Sequence, residues 1–302
     1  MEYVSIAKLA EIIRRNISRV PRTTDLVVGV PRSGMIPAAI IALSLNLRFT
    51  DLDSFVEGHI YGAGHSSESI RHNDYRNILV VDDSIATGRS MDEVKERLKP
   101  FEGEYNITYA AILASDVDHP QIDFYMEVIP HPRFFEWNIW RNHVMHSTMV
   151  DIDGVLCEDP EIDDDGKEYI NFLNTAAPKY IPHLKVDTII SCRLEKYRQP
   201  TVNWLSANKV EYNNLVLLDL PDKASRIKWG NHGQWKASHY ANSDATLFIE
   251  SSARQAEIIA RLSYKPVFCI ETNQLLHTLP QPSLIKRAKR RAKNIMSALC
   301  NM

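Results

Sequence analysis

The sequence predicts an α/β protein made of two domains, each built on a parallel sheet covered by helices. The chain has 302 residues, enough for two domains of roughly 150 residues that each bury a core without disulfides or metal ions. Short apolar runs rich in β-branched residues alternate with helical patterns along the chain. That alternation is typical of parallel sheets, whose strands are connected by helices.

Two series of apolar runs predict the strands of the two domains. The first comprises LVVGV (26–30), NILVVDDS (77–84), YAAILAS (109–115) and FYMEVI (124–129). The second comprises STMVDID (147–153), VDTIIS (186–191), NLVLLDL (214–220), ATLFIE (245–250) and PVFCIE (266–271). A polar and aromatic stretch, HPRFFEWNIWRNH (131–143), separates the series, so we predict domains at 1–145 and 146–302.

The composition is that of an ordinary globular protein. Apolar residues make up 44 %, charged residues 24 %, and the net charge is −3, which excludes a disordered, collagen-like or nucleic-acid-coating chain. The 4 cysteines are scattered without CxxC spacing, so neither a zinc site nor a disulfide framework is expected. With no apolar leader or membrane-spanning run in the sequence, we expect a cytoplasmic protein.

A pair of aspartates and a Thr-Gly turn follow the second apolar run. In VVDDSIATGRS (80–90), two carboxylates lie at the predicted carboxyl end of a strand, and a helix is predicted to start near Ser90. Backbone N–H groups of such a turn and helix N-terminus bind anions, and adjacent carboxylates bind sugar hydroxyls or a divalent cation. A phosphorylated sugar would satisfy both groups. For these residues alone, an ordinary strand-turn-helix with solvated acids is the alternative.

The same stretch resembles the phosphoribosyl-diphosphate (PRPP) motif of the type I phosphoribosyltransferases, whose fold is Rossmann-like. The resemblance implies that Asp82 and Asp83 hold the 2- and 3-hydroxyls of the ribose. It also implies a cradle for the 5-phosphate, made of Ala86, Thr87, Gly88, Arg89 and Ser90.

Two further segments are similar to parts of that family. VVGVPRSGMIPAA (27–39) resembles its pyrophosphate loop, which implies that Arg32, Ser33 and Gly34 approach the diphosphate and Mg²⁺. GHIYGAGHSSESIRHNDYR (58–76) lies where the family has a mobile loop that closes over PRPP. A lid of this kind excludes water from the reaction.

The residues expected to contact the acceptor differ from those of the purine-using relatives. Ala86 stands where those relatives carry an acid that takes a proton from the base, so we expect an acceptor other than a purine. HPRFFEWNIW (131–140) concentrates aromatic rings, and a similarly placed stretch lines the acceptor pocket in several relatives. We predict acceptor binding by Phe135, Glu136 and Trp137; burial of the rings in the core or at a domain seam is the alternative.

A second pair of aspartates occurs in the run Asp151-Ile152-Asp153-Gly154-Val155-Leu156 at a predicted strand end. The first carboxylate of such a pair can attack phosphorus and ligate Mg²⁺, while the second protonates the leaving oxygen and later activates water. A calcium loop is the alternative for DxDG alone. The acidic stretch EDPEIDDDGKEYINF (158–172) does not complete an EF-hand, because Phe172 stands at the position that requires Glu.

The runs around 151–156, 188–205, 235–240 and 245–260 together resemble the four ordered motifs of the haloacid dehalogenase superfamily of phosphohydrolases. The resemblance implies that Asp151 is the nucleophile, Asp153 the general acid/base, Ser191 a phosphate donor and Lys236 the stabilising cation, with Lys223 as the rival lysine. The implied Mg²⁺ ligands are Asp151, Asp153 and Glu250, although Ser251 and Ser252 follow where a second carboxylate is common.

The cap of this second domain is predicted to be minimal. Only 37 residues separate Asp153 from Ser191, too few for a large lid domain, so we expect an open site. A retained fold without activity is the alternative.

Together the two motifs predict a two-step reaction. A phosphoribosyltransferase leaves a 5-phosphoribosyl group on its acceptor, and a phosphatase in the same chain could remove the phosphate. The whole chain resembles the dual-domain ribofuranosyltransferases of bacterial surface-polysaccharide assembly, which implies PRPP as donor, Mg²⁺ as cofactor and a glycan acceptor, for example lipid-linked O-antigen. The alternatives are a pyrimidine-like nucleobase as acceptor, or a regulatory module that binds PRPP without transfer.

The end of the chain is strongly basic. Six cations and no acid occur after Leu284, and apolar residues recur every three or four positions, which predicts an amphipathic helix over 283–299. Such a helix could rest on an anionic membrane at the inner face; packing on its own domain is the alternative. Without interleaved aromatic residues it does not predict nucleic-acid binding.

Overall fold

The computed structural model describes residues 1–61, 75–161 and 165–277. The contacts within the chain divide it into two compact units, Met1–Trp137 and Asn138–Met302. The predicted domain boundary near 145 lies a few residues further along the chain.

The first unit contains a five-stranded parallel sheet and a separate parallel pair of short strands. Its elements are, in chain order, β1 (Glu2–Val4), α1 (Ile6–Asn16), β2 (Leu26–Gly29), α2 (Met35–Leu45), β3 (Arg48–Asp51), α3 (Leu52–Val56), β4 (Asn77–Ile85), α4 (Arg89–Leu98), β5 (Asn106–Ala114), β6 (Phe124–Val128) and β7 (Arg133–Phe135). The large sheet has the order β3-β2-β4-β5-β6, and β1 pairs with β7.

The strand order of this sheet determines where a ligand can bind. From β2 the chain moves outward to β3 and then returns to place β4 on the other side of β2. The connections therefore diverge at the carboxyl ends of β2 and β4 and leave a crevice there, which is where open α/β sheets bind ligands. Both strands are buried along most of their length, so polar side chains gather where the strands end.

The second unit is a six-stranded, mostly parallel sheet with helices between its strands. Its elements are β8 (Thr148–Val150), α5 (Gly166–Thr175), β9 (Val186–Leu194), α6 (Arg198–Ala207), β10 (Tyr212–Leu218), α7 (Lys223–Trp229), α8 (His232–Ala241), β11 (Leu247–Glu250), α9 (Ala253–Ser263), β12 (Val267–Cys269) and β13 (Gln274–Leu276). The order is β10-β9-β8-β11-β12-β13, with β13 antiparallel to β12. Here the connections diverge between β8 and β11.

The predicted α/β class with two parallel sheets is confirmed. β1, β3, β7 and β13 were not among the predicted strands. In particular, β7 lies inside the stretch that was expected only to separate the domains, because a three-residue strand is too short to give a periodic signal.

Three predicted segments fall wholly or partly outside the described residues. They are the lid at 58–76, of which 62–74 are not described, the acidic stretch at 158–172, of which 162–164 are not described, and the basic helix at 283–299. Among the helices of the described ranges, none is long and apolar enough to cross a membrane.

Candidate active sites

The first candidate site begins with the turn after β2. Arg32 is exposed, and Gly34 is buried directly before α2. A Cβ atom at Gly34 would lie 2.5 Å from the carbonyl oxygen of Val30 and 2.7 Å from that of Val81. Backbone atoms of β4 therefore close against this turn, and glycine is the residue that permits the approach.

The two acids at the end of β4 are held by neutral donors. Asp83 is 5 % exposed; its Oδ1 accepts a hydrogen bond from Ser33 Oγ at 3.0 Å and its Oδ2 accepts one from Trp137 Nε1 at 2.7 Å. The backbone N–H of Asp83 donates to Asp82 Oδ1 at 2.8 Å. Burial, and then the charge of Asp83, raise the pKa of the Asp82 carboxyl well above its usual value.

The turn after these acids presents backbone and hydroxyl groups to solvent. Ala86 and Thr87 are exposed, as are Arg89 and Ser90 in the first turn of α4. Gly88 is the N-cap residue with φ +79°, and a Cβ there would overlap the side-chain amide of Gln121. The first turn of a helix has free N–H groups that can bind an anion, so this geometry is compatible with the predicted phosphate cradle, which stays a prediction. Nothing in the sequence pattern pointed to Gln121.

The predicted acceptor residues differ in their placement. Phe135 is 5 % exposed and stacks on Trp137, with ring centroids 4.9 Å apart. The carboxylate of Glu136 accepts a hydrogen bond from the backbone N–H of Ile6 at 2.7 Å, at the start of α1. Of these three residues, Trp137 is the one that hydrogen-bonds to the acid pair. Their acceptor roles stay predictions.

The other two rings of the aromatic stretch lie elsewhere. Phe134 is fully buried and packs on Tyr3, which follows the parallel pairing of β1 with β7. Trp140 belongs to the second unit, where it stacks on Tyr180 with ring centroids 5.3 Å apart. For Phe134 the alternative of a core position is therefore correct.

The second candidate site centres on a buried ion-pair triad formed by Asp151, Lys236 and Glu250. Asp151 follows β8, Glu250 ends β11, and Lys236 lies on α8. The ammonium Nζ donates to Asp151 Oδ2 at 2.7 Å and to Glu250 Oε2 at 2.8 Å, and the three residues are 4 %, 2 % and 0 % exposed in chain order. The structure thus brings together three of the predicted residues.

The charges of the triad influence one another strongly. Burial alone would lower the pKa of Lys236, but the Asp151 and Glu250 carboxylates outweigh it and raise that pKa. Burial raises the pKa of Asp151, against the opposing effect of Lys236. If both carboxylates are ionised, the triad has a net charge of −1 in a buried space, which would attract a further cation or proton.

Asp153 is held by an arginine that sequence analysis missed. Arg193 Nη2 donates to Asp153 Oδ1 at 2.6 Å, and Nε lies 3.1 Å from Asp153 Oδ2. Ser191 Oγ donates to Asp153 Oδ2 at 3.4 Å and accepts from the Arg193 N–H at 3.2 Å. The sequence contains one signal for this contact, which is that Arg193 follows Ser191 by two residues at the end of an apolar strand. Arg193 is only 2 % exposed, so water does little to screen the attraction between its guanidinium and the Asp153 carboxylate.

The three predicted Mg²⁺ ligands do not form a free carboxylate cluster. Arg193 occupies both oxygens of Asp153. Glu250 gives one oxygen to Lys236 and the other to the N–H groups of Ser251 and Ser252. Within the described ranges, no group of three or more His, Cys, Asp or Glu residues is placed to hold a metal ion. This arrangement does not fit a three-carboxylate metal site, and the metal assignment stays a prediction.

Comparisons with known proteins concern the first unit. The family model described as "Phosphoribosyl transferase domain" matches residues 2–144. Xanthine-guanine phosphoribosyltransferase of Roseobacter denitrificans is 25 % identical over 130 residues, which cover 39 % of this chain and 70 % of that protein.

Solved structures also match this part of the chain. Xanthine-guanine-hypoxanthine phosphoribosyltransferase of Helicobacter pylori is 17 % identical with a TM-score of 0.34, over 46 % of this chain and 92 % of that one. Purine phosphoribosyltransferase of Pyrococcus horikoshii is 23 % identical with a TM-score of 0.32, over 45 % of this chain and 95 % of that one.

The N-terminal unit is therefore a type I phosphoribosyltransferase domain, whose chemistry is transfer of a phosphoribosyl group from PRPP. The family model ends at residue 144 and leaves the second parallel-sheet unit without an assigned family.

We expect Gly34→Ala to weaken PRPP binding at least tenfold and to destabilise the first unit by about 1–3 kcal/mol, because its Cβ would overlap two backbone carbonyl oxygens. Gly103→Ala is the matched control, since nothing lies within 4 Å of a Cβ there. Calorimetric titration with Mg²⁺–PRPP and urea denaturation would measure both effects. Wild-type affinity and stability in the Gly34 variant would contradict the close approach.

We expect Lys236→Met to destabilise the second unit by about 3–5 kcal/mol, because it leaves two buried carboxylates without their cation. Lys228→Met, at an exposed position of α7, should change stability by less than about 0.5 kcal/mol. Urea denaturation followed by tryptophan fluorescence reports mainly on this unit, which contains four of the five tryptophans of the chain. Equal midpoints for the two variants would show that the triad is not a stabilising interaction.

Proposed function

We propose that this protein transfers a 5-phosphoribosyl group from PRPP to a glycan acceptor and then removes the 5-phosphate, leaving a ribofuranosyl group. The observation that carries the proposal is the position of the two sites. In each sheet, residues of a motif that we propose handles phosphate lie where the strand connections diverge: Gly34 and Asp83 in the first, Asp151 and Glu250 in the second.

In the transfer step, PRPP enters as its Mg²⁺ complex. The turn that contains Arg32 and Gly34 binds the diphosphate, the acid pair binds the ribose hydroxyls, and the Ala86–Ser90 turn binds the 5-phosphate. The acceptor oxygen forms a bond to C1 while the bond from C1 to the diphosphate breaks, and the acceptor proton leaves with solvent or a base. Pyrophosphate departs, and the 5-phosphate remains on the product.

In the second step, Asp151 attacks the phosphorus of the product. The bond from phosphorus to the ribose O5 breaks, and that oxygen takes a proton from Asp153. Water then attacks the aspartyl phosphate, gives its proton to Asp153 and releases inorganic phosphate. Lys236 stabilises the charge on Asp151. Arg193, which hydrogen-bonds to both oxygens of Asp153, holds that side chain in place.

The identity of the acceptor is supported by two features of the first unit. Ala86 gives no carboxylate for deprotonating a purine, and Trp137 provides a half-buried ring beside the acid pair. Aromatic rings of this kind pack on the faces of sugars. The similarity to a xanthine-guanine phosphoribosyltransferase favours a second candidate, in which the acceptor is a nucleobase and the final product a nucleoside.

We expect Asp151→Asn to accumulate an acceptor that carries phosphorylated ribose, and Asp83→Asn to give no transfer, because the first variant lacks the nucleophile and the second a ribose ligand. The measurement is mass spectrometry of glycan and nucleobase acceptors after incubation with PRPP and Mg²⁺. Asp244→Asn, at an exposed position of the second unit, is the control and should yield unphosphorylated ribose on the acceptor.

Two results would overturn parts of this proposal. Unphosphorylated ribose on the acceptor from the Asp151 variant would exclude the second unit as the phosphatase. PRPP consumption with free bases and none with glycans would replace the glycan by a nucleobase.

A further inference from the structure

Arg133 in β7 and Trp137 in the turn after it contact the PRPP motif. Arg133 and Phe135 are alternate residues of the strand, so their side chains point the same way. Arg133, Phe135 and Trp137 are called here the β7 strip. Each member contacts the next: the Arg133 guanidinium lies 5.5 Å from the centroid of the Phe135 ring, and Phe135 stacks on Trp137. The strip is thus a continuous row of side chains.

One end of the β7 strip is attached to the start of the phosphate turn. Arg133 is 8 % exposed. Its Nη2 donates to the carbonyl oxygen of Ile85 at 2.9 Å, and its Nη1 donates to that of Ile129 at 2.5 Å. Ile85 is the last residue of β4, directly before Ala86. A buried guanidinium with two carbonyl partners fixes the point at which this turn leaves the sheet.

The other end is attached to one of the two acids. Trp137 Nε1 donates to Asp83 Oδ2 at 2.7 Å, and Ser33 Oγ donates to Asp83 Oδ1 at 3.0 Å. Two donors on opposite oxygens fix the plane of the carboxylate. Each carboxylate oxygen has two acceptor sites, so Asp83 keeps capacity for hydroxyl donors after both bonds are made.

We propose that Trp137 is a positioning residue, which orients Asp83 toward the ribose of PRPP while Arg133 holds the adjoining phosphate turn. The inference rests on the proposed function, since it takes Asp83 as a ribose ligand. A preoriented carboxylate does not have to be ordered when the sugar arrives, so the bond from Trp137 contributes to affinity for the ribose. The proposed diphosphate site is the Arg32–Gly34 turn. Trp137 is linked to that turn through Asp83, which also accepts a hydrogen bond from Ser33, whereas its own bond is to the ribose ligand Asp83.

Because the ribose and the diphosphate are bound by different residues, the effect of changing Trp137 on affinity should depend on the ligand. Loss of the indole N–H should weaken the binding of ligands that contain ribose and leave the binding of pyrophosphate unchanged. A general loss of packing around β7 would weaken all of them together, so comparison of ligand fragments separates a positioning role from a merely structural one.

The test uses the full chain with Trp137→Phe, which keeps an aromatic ring against Phe135 but has no N–H. Titration calorimetry with Mg²⁺ present would give affinities for PRPP, ribose 5-phosphate and pyrophosphate. We expect the variant to bind PRPP and ribose 5-phosphate about tenfold more weakly, which is about 1.4 kcal/mol, and pyrophosphate within twofold of wild type. Trp140→Phe, in the second unit, is the matched control and should bind all three normally.

A second variant keeps the inference falsifiable if packing is disturbed. Trp137→His restores a ring N–H, and we expect it to recover part of the lost affinity for ribose 5-phosphate. Unchanged ribose 5-phosphate binding in Trp137→Phe, or an equal loss for all three ligands, would overturn the inference. If wild-type protein binds none of the three ligands, the proposed function is wrong, and this inference, which depends on it, is wrong as well.

Discussion

The placement of chemistry in this chain follows from the burial of two parallel sheets. Strands such as β2 and β8, with no exposed residue, cannot carry charged side chains along their length without a large desolvation cost. The carboxylates of the two candidate sites therefore lie at or near the carboxyl ends of strands, and the strand order decides which ends leave a crevice. In the first unit that position is between β2 and β4, and in the second it is between β8 and β11.

The two units stabilise their buried carboxylates with different partners, neutral donors in the first and cations in the second. Asp83 receives neutral donors, a hydroxyl and an indole N–H, and no side-chain cation is described on it, an arrangement that suits sugar hydroxyls or a cation-bound sugar. Asp151 and Asp153 are instead paired with Lys236 and Arg193. Those cations reduce the repulsion that an incoming phosphate dianion would meet from bare carboxylates. The choice of partner thus fits the charge of the group that each site is proposed to handle.

Sequence patterns predicted the elements and the residues at strand ends, because both depend on local spacing. The predicted strand beginning at 77 is β4 with its two acids, and Lys236 reaches Asp151 and Glu250 as the motif order implied. The partners that fix these groups were not predictable in this way. Contacts such as Arg193 with Asp153, 40 residues apart, or Arg133 with Ile85, 48 residues apart, arise only from tertiary folding. For the same reason the bond from Ile6 to Glu136 could not be foreseen.

A single chain that both uses and removes a 5-phosphate must act in a fixed order. In the proposed reaction the Ala86–Ser90 turn recognises PRPP by its 5-phosphate, so removal of that phosphate from free PRPP would destroy the donor. Discrimination between free PRPP and the transferred product then depends on the group at C1, which is a charged diphosphate in one and the acceptor in the other. In the proposed second site three carboxylates, Asp151, Asp153 and Glu250, outnumber the two cations paired with them, Lys236 and Arg193, and that imbalance would disfavour the charged diphosphate of the donor relative to the product.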